Sequence, residues 1–306
     1  MRITFVHRLF EFAKKDKSIF LLTGDLGFSV FEKYIEAFPD QYLNMGVAEQ
    51  NMAGVAAGMA IEDKMPIIYS IAPFTTMRNF EQIRNDICYQ NLNVKIVGVG
   101  AGFSYGPYGH THHGLEDIGI LRTLPGLVIF APGDPIETDL ATKAMLRHIG
   151  PVYLRLGKAG EPNVHKKPID FTIGKGIIIK DGTTITVISC STLLYRAFQA
   201  ASELEKENYS VRLISMPSIK PLDKDIILKS AKKTKAIFTI EEHSIIGGLG
   251  SAVAEVLAEA GSPVRFKRIG VPDQFTKVIG SQEYMRKANE LSLEQIVKTI
   301  HATYEN

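Results

Sequence analysis

The chain has 306 residues, 45% hydrophobic and 22% charged, which suits a soluble globular protein long enough for two ordinary domains. Its formal charge of +2 is spread along the sequence, not gathered into a basic arm, which argues against nucleic acid as principal ligand and leaves a small anion open. The two cysteines, Cys88 and Cys190, lack disulfide or metal-ligand spacing, and residues 1–17 mix apolar with charged positions; the expectation is a reduced cytoplasmic protein without a secretory signal or membrane span.

Short β-branched apolar runs recur at 19–23, 66–71, 94–99, 127–131 and 152–156, separated by amphipathic segments. That rhythm predicts a parallel sheet with crossover helices. The pattern lapses over 159–172, which reads as a linker closing a first domain of residues 1–158. Apolar runs resume at 184–189, 211–216, 236–241 and 264–269, with helical patterns such as 251–260 between them, and predict a second domain over 173–306. The expected fold class is α/β: two consecutive three-layer α/β/α domains with mostly parallel sheets. Ligands of such sheets collect beyond the carboxyl ends of the strands, so the loops there are candidates for chemistry.

The densest feature is residues 44–60, where one carboxylate, Glu49, opens a helix built of small and apolar residues. Ala53, Gly54, Ala57 and Gly58 allow a second helix or subunit to approach closely, which sets Glu49 near an interface. Glu49 could simply favour the helix amino terminus, an effect of ~0.3–1 kcal/mol. Burial in an apolar wall would instead disfavour its ionised form and prepare it for proton sharing. Farther on, His110, His112 and His113 lie in a loop with Gly102, Gly106 and Gly109. A substrate-facing histidine, a solvated one and a metal cluster are all open there. The glycines of 247–250 lack the lysine of a phosphate loop and the spacing of a dinucleotide fingerprint, and read as helix entry and packing.

The run Gly46-Val47-Ala48-Glu49-Gln50-Asn51-Met52 resembles the signature of transketolases and their split-gene relatives. Residues 23–27, 81–84, 92–98, 111–117, 150–156, 241–243 with 247–250, and 270–273 resemble further blocks of that family, in order. The resemblance implies a thiamine-diphosphate pyrimidine-binding domain followed by a transketolase C-terminal domain, and transfer of a two-carbon ketol unit between sugars or sugar phosphates. It implies that Glu49 bonds the aminopyrimidine and promotes deprotonation of the thiazolium, that Asp25 and Leu26 lie against the cofactor, and that Phe74 stacks on the pyrimidine. It places His112 on substrate oxygens, and Arg2, Ser29 and Arg155 near a sugar phosphate. Tyr108 falls where the family has a hydroxyl-reading aspartate, Gly100 where it has a phosphate-contacting histidine, and Ile71 where it has a second aromatic. An anionic or nucleotide-linked carbohydrate with altered hydroxyl geometry is therefore expected.

No Gly-Asp-Gly motif for a metal-bound diphosphate occurs, and no metal ligand is assigned to this chain. The resemblance thus implies that Mg2+ is held mainly by an amino-terminal, diphosphate-binding partner subunit, in an α2β2 assembly. Alternatives are a deoxyxylulose-phosphate-synthase-like enzyme, the β subunit of a 2-oxoacid dehydrogenase, and a noncatalytic assembly subunit on the same fold.

Overall fold

The computed structural model describes residues 1–305. Twelve strands form two sheets: β1 (Ile19–Thr23), β2 (Tyr42–Asn44), β3 (Met65–Ile71), β4 (Lys95–Val99), β5 (Val128–Phe130), β6 (Val152–Leu156), β7 (Ile177–Lys180), β8 (Ile185–Ser189), β9 (Val211–Ser215), β10 (Ser218–Lys220), β11 (Ala236–Ser244) and β12 (Arg265–Val271). The first sheet has the order β10-β5-β6-β4-β3-β1-β2 and the second β12-β11-β8-β9-β7. All pairings are parallel except β10 with β5 and β7 with β9. This is the expected α/β class with mostly parallel sheets. The apolar runs read from the sequence coincide with the central strands and with β12 at an edge, whereas β2 and β10 carry no such run and β7, three isoleucines and a lysine, lies outside the runs read.

Strand alternation explains how the first sheet is covered. Ile19 and Leu21 of β1, Ile67 and Tyr69 of β3 and Val97 and Val99 of β4 share one face. Phe5, Leu9 and Ala13 of the helix Arg2–Ala13, and Ala141 and Met145 of the helix Pro135–Arg147, pack onto it. Leu22, Ile68 and Ile96 point the other way, against Met52, Ala53, Ala56 and Ala57 of the helix Glu49–Ile61. This second cluster continues without a break through Ile188 and Ile214 of the second sheet and Val253 and Val256 of the helix Leu249–Glu259. The two sheets therefore share one core across their junction, and β10, from the second half of the chain, hydrogen-bonds into the first sheet. The loops beyond the first sheet's carboxyl ends are thus held against the second.

The segment joining the two sheets is pinned as well. Backbone N–H groups of Val164 and His165 donate to Asp134 Oδ2 at 2.9 and 3.0 Å, and His165 Nε2 meets Glu137 Oε1 at 2.7 Å. Burial alone would lower the His165 pKa, but the hydrogen bond to Glu137 and the charges of Glu137 and Asp134 outweigh it, and the net shift is upward from 6.5. A base with a raised folded pKa stabilises fully below its unfolded value, and the contribution is lost as pH rises through the folded one. The denaturation midpoint of the wild type should therefore exceed that of His165→Gln most below pH 6.5. The gap should narrow as the solution is made alkaline, which urea titrations at several pH values will measure.

Candidate active site

Adjacent parallel strands deliver the candidate residues to one rim. Asp25 and Leu26 follow β1, Glu49 follows β2 as the first residue of its helix, Phe74 follows β3, His112 lies in the loop after β4, and Lys158 stands just past β6. Asp25 occupies a left-handed conformation (φ 53°), one that aspartate tolerates better than most residues. Asn44 holds it there, accepting from Asp25 N at 3.2 Å and donating to Asp25 Oδ1 at 3.0 Å. The Asp25 carboxylate is exposed and Leu26 half-buried at the mouth of the site.

Glu49 is only 1% exposed, but its surroundings are not the apolar wall that the sequence suggests. The Ser70 hydroxyl donates to Oε1 at 2.9 Å and Arg78 Nη1 donates to Oε2 at 2.6 Å. A buried carboxylate is costly unless hydrogen-bonded or paired, and here both oxygens have a donor. Gly24 makes room for it, since a Cβ at Gly24 would lie 3.0 Å from Oε1. The same Arg78 guanidinium lies 4.4 Å from the centroid of the Phe74 ring. A flat group that donates N–H to Glu49 while stacking on Phe74 is thus accommodated, as an aminopyrimidine held at this carboxylate requires.

The His112 ring stands 5.1 Å from Phe74 and 5.4 Å from Tyr108. Burial lowers its pKa from 6.5, so it is mostly neutral at pH 7 and can give or accept a proton at a substrate oxygen. The neighbouring rings turn elsewhere: His113 is buried against Phe103, and His110 packs on Phe275. Two cations border Tyr105, whose ring lies 6.4 Å from that of His112. Lys158 Nζ is 5.0 Å from the Tyr105 ring and 5.9 Å from the Tyr108 ring. Arg2 also acts on Tyr105: burial pushes that phenol's pKa up, and the charge of Arg2 and a hydrogen bond with it oppose the rise. Arg2 Nε is buried without a hydrogen-bond partner. Tyr108 is 61% exposed at the mouth, and Ser29 sits on the exposed turn after β1 with φ 61°.

Arg155 does not belong to this rim, and the expectation that it meets a substrate phosphate is corrected. It lies within β6, 1% exposed, and four donor contacts are satisfied by protein: Asp117 Oδ2 (2.8 Å), Ser191 Oγ (3.0 Å), Gly114 O (2.7 Å) and Glu242 O (3.0 Å). Its charge is fixed by Asp117. Burial would raise the Asp117 pKa, but the charges of Arg155 and His243, with hydrogen bonds from Arg155 and Tyr153, hold it below the ordinary carboxylate range. Lys158, three positions on, is the cation the strand brings to the rim; its place just beyond a predicted strand is the signal that could have found it. Ser70, at the carboxyl end of β3, is findable the same way. Arg78 carries no such signal, since only the tertiary fold brings it to Glu49.

Glu242 of β11 ties the second sheet to the loop that carries His112. It is fully buried, accepts from Phe103 N at 3.1 Å and from Arg286 Nη2 at 2.7 Å, and also bonds Thr192 and Gln282. Its backbone carbonyl shares Arg155 Nη2 with Gly114 O. One residue thus anchors both ends of the segment 103–114, which carries Tyr105, Tyr108 and His112. Gly102, with φ 60°, packs on its side chain, where a Cβ would lie 2.5 Å from Glu242 Cγ.

The family described as "Transketolase, pyrimidine binding domain" matches residues 1–161, and "Transketolase, C-terminal domain" matches residues 174–296. The chain is 37% identical over 264 residues to one of the subunits of an apulose-4-phosphate transketolase from Actinobacillus succinogenes, covering 86% of this chain and 85% of that one. It is 36% identical over 306 residues to a 6-deoxy-6-sulfo-D-fructose transketolase subunit, SqwH, of Clostridium sp., covering 100% and 94%. Among solved structures, one described as a split gene transketolase, inactive β4 tetramer, superimposes with a TM-score of 0.91 at 37% identity, covering 99% of this chain and 98% of the other.

If Glu242 anchors the loop that carries His112, Glu242→Ala should cost about 1–3 kcal/mol, since Phe103 N loses its acceptor and the buried Arg286 keeps only the more exposed Glu283 as counter-charge. The amides of Phe103 and Gly114 should then exchange with solvent faster than those of the strand β1, as hydrogen-exchange mass spectrometry or NMR will report.

Proposed function

The chain belongs to the transketolase family, and we propose that it is the subunit of a split enzyme that activates thiamine diphosphate through Glu49 while an amino-terminal partner holds the diphosphate and its Mg2+. Family membership implies dependence on thiamine diphosphate and transfer of two-carbon ketol units. The observation that carries the residue-level reading is Glu49 itself: a buried carboxylate at the strand ends, beside an aromatic ring whose face admits a flat nitrogen donor.

In this reading Glu49 and Phe74 hold the pyrimidine, with Ser70 keeping the carboxylate in place and Asp25 and Leu26 bordering the thiazolium. Bound there, the cofactor supplies the nucleophilic carbon that takes up and passes on the ketol unit. Glu49 contributes a proton shared at its carboxyl oxygen, and neutral His112 moves a proton at the substrate oxygen. Among the described residues no group of three or more His, Cys, Asp and Glu side chains could hold a metal. The partner's role is supported by the two matched families, which are the pyrimidine-binding and C-terminal ones, and by relatives named as transketolase subunits. An α2β2 assembly fits the tetramer described for the solved relative, which is called inactive as β4. With both cysteines free and buried, we place the assembly in the cytoplasm.

For the substrate, Arg2, Lys158 and Tyr108 favour a sugar whose far end carries an anion, with Ser29 at the channel entrance and Arg155 no longer included. A guanidinium with an unpartnered Nε and an ammonium with no carboxylate partner among the described residues suit a phosphate or similar group. The relatives' names point the same way, one naming a phosphate ester and the other a sulfonated sugar.

The reading is tested with the reconstituted pair of subunits and a panel of donors. Glu49→Gln should fold and assemble yet lose about 100- to 10,000-fold in turnover with a ketose donor. Lys158→Ala should raise the apparent KM for an anionic substrate about tenfold. Wild-type turnover by Glu49→Gln contradicts the catalytic assignment, and turnover with pyruvate in place of a ketose moves the reading to one of the two 2-oxoacid-using alternatives.

A further inference from the structure

Arg78 makes both contacts that the pyrimidine site offers. Its Nη1 donates to Glu49 Oε2 at 2.6 Å, and its guanidinium carbon lies 4.4 Å from the centroid of Phe74. The two partners differ in freedom: the Glu49 side chain is 1% exposed, whereas that of Arg78 is 40% exposed on the loop between the helices Ala72–Thr76 and Phe80–Gln82. Glu49 cannot leave its place without dragging a charge through the core, but Arg78 can rotate into water at little cost. Its guanidinium also competes for the oxygen that a proton-sharing ring nitrogen needs. With the guanidinium also lying over Phe74, a ring seated on that face and bonded to Oε2 would meet it.

We propose that Arg78 is a displaceable placeholder: in the cofactor-free chain its guanidinium occupies the pyrimidine site, neutralising Glu49 and covering Phe74, and it must swing out before the cofactor ring enters. The proposal rests on the reading of Glu49 and Phe74 as the pyrimidine half-site. Its role is to keep a buried carboxylate paired until the cofactor arrives. Apparent affinity is then lowered by the fraction of chains whose Arg78 is already out. An ion pair with one exposed partner and a cation–π contact are each modest, so together they lower cofactor affinity by roughly 5- to 20-fold.

The test uses the full chain and two probes, thiamine diphosphate with Mg2+ and the free aminopyrimidine alcohol of thiamine, titrated by calorimetry. Arg78→Ala should bind both about 5- to 20-fold more tightly than wild type. In the wild type, the Arg78 Nε–H resonance should move to its solvent-exposed position as either probe saturates, a readout that does not depend on any variant folding. Unchanged or weaker binding by Arg78→Ala, or an Arg78 resonance that stays put at saturation, overturns the proposal. Phe74→Ala separates the two levels: if it binds both probes as tightly as wild type, the half-site reading itself fails and the placeholder falls with it.

Discussion

A carboxylate cannot be buried alone, and much of the site follows from how Glu49 escapes that penalty. Its helix packs small residues against β1 and β3, which brings the carboxylate beneath the rim where parallel strands end. Once there it needs donors, and Ser70 and Arg78 supply them from the next strand and the next loop. Gly24 leaves it room, since a Cβ there would lie 3.0 Å from Oε1. Asp25, Phe74 and His112 then gather around a position already set by electrostatics, each at the end of its own strand, so the site's geometry inherits the rigidity of the sheet.

The second sheet takes part in that rigidity without lending a side chain to the rim. Glu242, Arg155 and Arg286 form a buried polar cluster at the junction of the sheets, and through it the loop bearing His112 is fastened at both ends. Such a cluster is a weak source of net stability, because its desolvation cost nearly cancels its attraction. Its effect is geometric: few other arrangements satisfy all its members, so the loop has one resting place. Arg155 is therefore essential to the architecture while standing apart from the chemistry.

The central strands are legible in the sequence because β-branched runs with turn signals between them have little else to become. β2 and β10 are not, since neither carries a β-branched run and β10 is stabilised by an antiparallel partner in the other half of the chain. Glu49 stands out as a lone carboxylate in an apolar helix, but its partners do not. Ser70, 21 positions away, can at most be placed near the rim from its strand end, and nothing local predicts that it and Arg78, 29 positions away, meet one carboxylate. Arg155 shows the converse problem. An arginine in an apolar strand reads equally well as an anion ligand or as half of a buried pair, and only Asp117, 38 positions earlier, decides between them. Lys158 escapes notice beside it because a lysine in a glycine-containing turn looks like ordinary surface.

The central claim is that this chain contributes the group that activates the cofactor and that a partner completes the site. The most direct measurement follows exchange of the thiazolium C2 proton of thiamine diphosphate with deuterium, by quenched-flow NMR, for the chain alone, for the chain with its partner, and for the assembly carrying Glu49→Gln. The account predicts acceleration over free cofactor only in the wild-type assembly. Equal acceleration by the isolated chain would contradict the requirement for a partner, and equal acceleration by the Glu49→Gln assembly would contradict the role of Glu49.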